Sequence, residues 1–166
     1  MKNWYLVYTK PQGEELAKVN LERQGFETYL PLVGIRRRRL GRGRISIEPL
    51  FPRYLFIHLN TETDNWLPIR STIGVTKLIR FGMTPAIVPD LLIGALRERE
   101  DAQGVQDVKI GDYKQGEKVR VLEGPMMGFE GIFLAKTSRD RVIVLLDIVG
   151  KSTRVKLDIG KLESTA

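Results

Sequence analysis

The sequence predicts an α+β fold in which an antiparallel sheet flanked by helices is followed by a small, mainly β C-terminal domain. Short aromatic and apolar runs, separated by two helical patterns, fill the first hundred residues. A polar, glycine-marked stretch from 104 to 115 is typical of a linker. Beyond it, short β-branched runs alternate with GPMMG, SRD and GKS turns, as in a small barrel. We therefore divide the chain into a domain over 1–100, a linker over 101–115 and a domain over 116–166.

The first domain begins with an aromatic run, Trp4 to Tyr8, that predicts a buried strand. After the turn residues Lys10 to Gly13, a helix is expected, because Glu14 and Glu15 favour its first turn and Gly25 marks its end. Its predicted apolar stripe consists of Leu16, Ala17, Val19 and Leu21. Phe26 to Leu32 and Arg44 to Pro49 then read as strands joined by an arginine-rich hairpin tip.

The next strand, Arg53 to Leu59, has two largely apolar faces. Alternation puts Tyr54, Phe56 and His58 on one face, and Leu55, Ile57 and Leu59 on the other. One face must meet the domain's own core, so the Tyr54 and Phe56 face is either covered by a helix or offered to a partner. His58 is expected to have no chemical role.

The rest of the chain shows further strand and helix patterns. Gly74 to Phe81 predicts another strand, and Val88 to Asp90 opens a helix with Leu92 and Leu96 on one side. The β-branched runs of the C-terminal part are 118–123, 131–138, 141–149 and 153–157.

Composition excludes several classes of protein. With 166 residues, 28% charged and 42% hydrophobic, the chain has no apolar run long enough to span a bilayer, so we expect a cytoplasmic protein. It has no cysteine and one histidine, which argues against thiol chemistry, metal centres and a Ser/His/Asp triad. No glycine-rich phosphate loop or HExxH motif is present. We expect neither an enzyme nor a cofactor.

The net charge of +7 is concentrated in the first domain. Residues 1–100 hold sixteen lysines and arginines against ten acids, whereas the remainder holds eleven against ten. Six arginines fall within nine residues: Arg36, Arg37, Arg38, Arg39, Arg42 and Arg44. This segment is either a solvated loop or a phosphate contact, and the excess of arginine over lysine favours the contact.

Two stretches carry a resemblance to known families. The segment GEKVRVLEGPMMGFEGIF resembles the KOW motif of transcription and ribosomal proteins, through Gly116, Val119, Val121, Gly124, Pro125, Gly128 and Gly131. In the first domain, WYLVYTK, EPLFPRYLFIHL, STIGVTKLIRFG and TPAIVP together resemble the NusG family of transcription elongation factors. The stretches EPLFPRYLF, IRFG and PAIVP are most similar to its specialised RfaH branch.

This resemblance implies an operon-specific antitermination factor that binds RNA polymerase and exposed non-template DNA. Lys10, Arg23 and Thr72 match residues of the branch's DNA-binding face, and Asn20 occupies a fourth position of that face. The sequence departs from the branch at Asn20, which replaces a histidine, and at Ile73, which replaces an arginine. A threonine-rich polymerase contact is replaced by Asp64 to Pro68, so that contact is carried over only weakly.

The resemblance also implies a cavity that grips the largest polymerase subunit. Its residues, here termed the predicted polymerase site, are Tyr8, Tyr54, Phe56, Phe81, Ile93 and Leu96. The alternative is that some of these side chains form ordinary domain core.

The sequence of the C-terminal segment is compatible with two secondary structures. Val142, Leu145, Leu146 and Val149 form an apolar stripe at helical spacing within a run that also suits a strand. The resemblance implies a helical hairpin docked on the first domain in the free protein, held by a latch between Glu48 and Arg141, and a β-barrel after release. The alternative for that pair is two unrelated surface charges. The released barrel would bind a ribosomal protein, and the protein is expected to be a monomer.

Two other functions stay open. A general NusG-type elongation factor would act on polymerase regardless of leader sequence. A ribosome-associated KOW protein would bind structured RNA without associating with polymerase.

Overall fold

The computed structural model describes residues 1–36, 44–106 and 129–165, with side chains of the last helix described to Leu157. It confirms the α+β class. The strands are β1 (Asn3–Thr9), β2 (Glu27–Tyr29), β3 (Leu32–Arg36), β4 (Ile45–Pro49), β5 (Tyr54–Leu59), β6 (Val75–Leu78), β7 (Arg80–Phe81), β8 (Thr84–Pro85), β9 (Ile87–Val88) and β10 (Val105–Gln106). The α-helices are α1 (Glu14–Arg23), α2 (Asp90–Glu98), α3 (Phe129–Leu134) and α4 (Ser138–Thr165), and a 3-10 helix covers Leu67–Ser71.

The central sheet has the order β2-β5-β1-β6, and β9 pairs with β1. All its pairings are antiparallel, as predicted. Strand β1 pairs with β5 in a register that sets Leu6 opposite Phe56 and Tyr8 opposite Tyr54. A second sheet, β10-β3-β4, contains the β3–β4 hairpin, and its predicted arginine-rich tip at 37–43 lies outside the described residues.

The predicted strand from Phe26 to Leu32 is in fact two strands in different sheets. The break falls at Leu30 and Pro31, because Pro31 has no amide hydrogen for a ladder and its carbonyl instead accepts a hydrogen bond from Leu50 N at 2.9 Å. The predicted strand over 74–81 is likewise divided, with Val75–Leu78 on β1 and Arg80–Phe81 on β8.

Two apolar clusters pack on opposite faces of the central sheet. One contains Tyr5, Val7, Leu55 and Ile57 with Ala17 and Leu21 of α1. Of the predicted α1 stripe, only Ala17 and Leu21 are buried, whereas Leu16 and Val19 are exposed. The prediction was wrong for those two because a ten-residue helix on a sheet buries a narrow face, here completed by Glu14.

The other cluster joins the two ends of the chain. It contains Leu6 and Phe56 from the sheet, Leu92, Ile93 and Leu96 from α2, and Phe129, Ile132, Leu145, Ile148 and Val149 from α3 and α4. Helices α3 and α4, here called the helical hairpin, therefore cover the Tyr54 and Phe56 face of the sheet. The runs over 131–157 that predicted barrel strands lie instead in α3, in α4 and in the short turn between them.

The inner stripe of the helical hairpin agrees with its predicted spacing. Leu145 and Val149 are fully buried, and Val142 and Leu146 pack partly buried against the same cluster. The KOW residues from Gly116 to Gly128 lie outside the described residues. Gly131 is described, and a Cβ there would meet Val144 Cγ1 at 3.2 Å, so glycine allows α3 and α4 to pack closely.

The predicted linker is described only as far as Gln106. Val105–Gln106 pairs in parallel with Leu32 and Val33 of β3, and Gln106 Nε2 donates a hydrogen bond to Leu96 O at 2.8 Å. These contacts fix the start of the segment that leads to the helical hairpin. The domain boundaries at 100 and 116 stay predictions.

Candidate functional site

The predicted polymerase site lies where the helical hairpin meets the first domain. Phe56 and Leu96 are fully buried, and Ile93 is 2% exposed. All three belong to the cluster that Leu145 and Val149 complete. The structure therefore brings the centre of this set together and places the helical hairpin against it.

The remaining members of the set lie at its border. Tyr8 and Tyr54 are half-buried, with ring centroids 5.1 Å apart, and Phe81 is 38% exposed. A Cβ at Gly150 of α4 would meet Phe81 Cζ at 3.3 Å, so glycine at this turn of α4 accommodates the phenylalanine ring. Burial and the neighbouring Tyr8 raise the pKa of Tyr54, and the Arg53 guanidinium acts in the opposite direction.

The predicted latch residues lie close enough to interact electrostatically. Arg141 is 1% exposed, and its Nε donates a hydrogen bond to Leu50 O, two residues beyond Glu48, at 2.9 Å. Burial lowers the pKa of Arg141, while the carboxylates of Asp140 and Glu48 act in the opposite direction. Among the described residues, Arg141 Nη1 has no hydrogen-bond partner. The arginine therefore ties α4 to the first domain through a main-chain carbonyl.

A second polar contact, which the sequence reasoning missed, lies two turns past Leu145 on α4. Thr153 is buried, its Oγ1 accepts a hydrogen bond from Ile87 N at 2.9 Å, and the same hydroxyl donates to Val149 O at 2.8 Å. The sequence does contain a signal for this contact, because Thr153 lies four residues beyond Val149 and so continues the apolar stripe of the predicted helix. Arg141 and Thr153 thus fasten both ends of the docked part of α4.

One more contact fixes α3. The Arg99 guanidinium lies 3.7 Å from the Phe133 ring centroid, which is within the range of a cation–π interaction. Arg99 follows the end of α2, so this contact adds to the apolar packing between the helical hairpin and the first domain.

The residues predicted to bind DNA lie in the turn between β1 and α1, on α1, and directly after the 3-10 helix. Lys10 and Arg23 are exposed, and Asn20 is half-buried with Nδ2 donating to Leu16 O at 2.8 Å. Thr72 is 6% exposed. Its Oγ1 donates to Pro68 O at 2.9 Å and accepts from Gln24 Nε2 at 2.8 Å.

Gln24 therefore joins α1 to the segment after the 3-10 helix, a link that sequence reasoning did not identify. The same Nε2 also donates to Asn20 O at 3.1 Å, which sets Asn20 and Thr72 in one hydrogen-bonded unit. Of the arginine-rich segment, the exposed Arg36 and Arg44 are described, and they flank the β3–β4 hairpin tip.

His58 has structural contacts. Its Nδ1 lies 2.8 Å from Glu27 Oε2, and its ring stacks on Trp4 with centroids 4.5 Å apart. Within the described ranges, His, Cys, Asp and Glu form no cluster of three or more suited to a metal ion. None of the helices in those ranges has the length and hydropathy needed to cross a bilayer.

Comparisons with known proteins identify the family of this chain. The family model NusG, described as transcription termination factor nusG, matches residues 2–97. The transcription termination/antitermination protein NusG of Thermus thermophilus is 29% identical over 96% of both chains, and that of Bacillus subtilis is 25% identical over 98% of both. A solved structure on domain interaction in Thermotoga maritima NusG matches 76% of both chains at 26% identity, with a TM-score of 0.44. The family model covers more than half of the chain, which therefore belongs to the NusG family of transcription termination and antitermination factors.

Proposed function

We propose that this chain is an operon-specific antitermination factor of the RfaH kind, held inactive by its own helical hairpin until it reaches its target. One observation carries the proposal: Phe56, Ile93 and Leu96 of the predicted polymerase site share a buried cluster with residues of α3 and α4. Since one apolar surface cannot hold two occupants, polymerase binding requires the helical hairpin to leave.

Docking explains why this segment is helical. A fully buried Leu, Ile or Phe side chain contributes about 1.5–3 kcal/mol, whereas a glycine inside a helix costs about 1 kcal/mol. Leu145, Val149 and Ile132 are each completely buried by the contact. Once released, the segment loses this support, and its β-branched content favours the barrel that would bind a ribosomal protein.

The trigger proposed for release is exposed non-template DNA at a paused polymerase. Lys10 and Arg23 supply the cations for phosphate contact, and Asn20 can pair with a base edge. In this proposal Thr72, whose hydroxyl is already engaged, acts by orienting Gln24, whose Nε2 also donates to the Asn20 main-chain carbonyl.

The polymerase site is tested by Tyr54→Ala. We expect polymerase affinity to fall by roughly 1–3 kcal/mol, because tyrosine is enriched among the few side chains that carry most of the binding energy at interfaces. Phe56→Ala should also weaken binding, but it removes a fully buried ring and so costs about 3–5 kcal/mol of folding free energy as well. Binding is measured by titration of labelled core polymerase, and unchanged affinity in a folded Tyr54→Ala variant would exclude the site.

The DNA face is tested by Lys10→Ala. We expect it to weaken binding to leader-paused polymerase more than binding to elongation complexes paused on other sequences. Lys151→Ala is the matched control, since it removes an exposed lysine of α4 that is paired with Asp147 at 3.0 Å. An equal loss on scrambled DNA would reduce the face to nonspecific electrostatics.

A general NusG-type elongation factor is the second candidate. It is favoured by the two relatives named above, which match almost the whole chain and carry the general name. It predicts the same activity at every paused complex, so transcription assays with and without a leader pause element separate the two. Binding to structured RNA without polymerase would instead favour the ribosome-associated alternative.

A further inference from the structure

Arg53 has the least favourable backbone conformation at the edge of the predicted polymerase site. Its φ is +73°, in the left-handed region that residues other than Gly, Asn and Asp rarely adopt. Among the non-glycine residues described, Gln12, with φ +59°, is the other example. Strained residues persist where surrounding contacts fix them, and such sites are frequently functional.

The contacts that hold Arg53 in place all come from the first domain. Its amide donates to Glu14 Oε2 at 2.9 Å, and its carbonyl accepts from Thr9 N at 2.8 Å. Its Nε donates to Thr9 O at 3.1 Å. These bonds direct the guanidinium onto the Tyr8 ring, with Cζ 4.2 Å from the centroid.

This geometry places two cations beside the ring pair of Tyr8 and Tyr54, an arrangement here called the cationic edge. Tyr8 contacts Tyr54, and Lys77 Nζ lies 5.8 Å from the same Tyr8 ring. Neither Arg53 nor Lys77 forms an ion pair with a described carboxylate, since Glu14 reaches the Arg53 amide rather than its guanidinium. Arginine and tyrosine are, with tryptophan, enriched among the few side chains that carry most of the binding energy at protein interfaces.

The edge adjoins the surface that the helical hairpin covers. Pro52, immediately before Arg53, lines a small cleft with Ser138, Arg139, Val142 and Ile143 of α4. Arg53, Tyr8 and Tyr54 are each only half-buried. A partner that replaces the helical hairpin would therefore reach Arg53 at the rim of its binding site.

We propose that Arg53 is a partner-recognition residue whose guanidinium pairs with a carboxylate on the RNA polymerase segment that binds beside Tyr8 and Tyr54. The inference rests on the proposed polymerase site. Arginine suits this role because its planar group can stack on Tyr8 with one face and present its remaining N–H donors to a carboxylate. The acidic partner follows from charge complementarity, since two cations without described carboxylate partners border the site.

Arg53→Asn in the full-length chain is the test. Asparagine tolerates the left-handed conformation, so the unfolding temperature should change little, while affinity for core RNA polymerase should fall about tenfold. Affinity should also become less dependent on KCl concentration, because an ion pair has been lost. Arg53→Lys should fall between the two, because it keeps the charge without the planar fork.

Two controls match the change. Gln12→Asn makes a comparable substitution at the other strained position, and Arg97→Ala removes an arginine whose Cζ lies 5.3 Å from the Trp4 ring centroid. Both should bind polymerase normally. Wild-type affinity and salt dependence in Arg53→Asn, or a loss matched by loss of folding, would overturn the role of Arg53. If Tyr54→Ala also bound normally, the polymerase site itself would be wrong.

Discussion

Leu145→Asp is expected to undock the helical hairpin and to raise affinity for RNA polymerase on the order of tenfold to a hundredfold, the range of typical coupling free energies. Leu145 is fully buried between α4 and the first domain. A carboxylate there would be buried without a partner, and the cost of that burial falls on the docked state alone. Titration of labelled core polymerase with the full-length variant measures the gain.

Ile143→Asp is the matched control for this change. Ile143 lies on the same helix, two residues away, but is 55% exposed. The same charge should therefore leave docking and polymerase affinity almost unchanged. Equal affinities for the Leu145→Asp variant and the wild-type protein, with α4 demonstrably undocked, would show that the helical hairpin does not block the polymerase site.

Separating the helical hairpin from the first domain is expected to convert it from helix to strand. A protease site placed between 107 and 128 would allow cleavage, and dilution would then remove the docking contacts. Backbone chemical shifts of residues 129–157 should change from helical to extended values. Docking makes the difference because Gly131 and Gly150 each weaken an isolated helix by about 1 kcal/mol, and helices without tertiary support are marginal in water.

The same shifts should respond, to a smaller degree, to Glu48→Lys in the uncut chain. A cation at position 48 would repel Arg141, whose positive charge the Glu48 carboxylate favours. We therefore expect a raised population of the extended form. Persistence of helical shifts after cleavage, with the two parts fully separated, would end the switch hypothesis for this chain.

The sequence by itself was sufficient for most of the first domain. Alternation along β5 placed Tyr54 and Phe56 on one side and Leu55 and Ile57 on the other, and the two apolar clusters divide in that way. Local signals also gave correct predictions, since Gly25, with φ +93°, lies at the end of α1 as expected. These features depend on neighbours in the sequence and on one side of a sheet, so periodicity reveals them.

The contacts of the candidate site were harder to predict from the sequence because they join distant parts of the chain. The strain at Arg53 depends on Glu14 and Thr9, the bond of Thr153 depends on Ile87, and that of Gln24 on Thr72. Each residue looks ordinary in its own segment. No local pattern predicts a hydrogen bond across 39 or more residues without the fold that brings its partners together.

The C-terminal segment shows most clearly which features the sequence determines and which the tertiary structure decides. Its sequence determined that Val142, Leu145, Leu146 and Val149 could form a helical stripe, and equally that the same run could form a strand. The tertiary structure decided for the helix, because burial against Phe56, Ile93 and Leu96 stabilises that conformation alone. Secondary structure there is a property of the interface between the two parts of the chain, and local propensity by itself does not specify it.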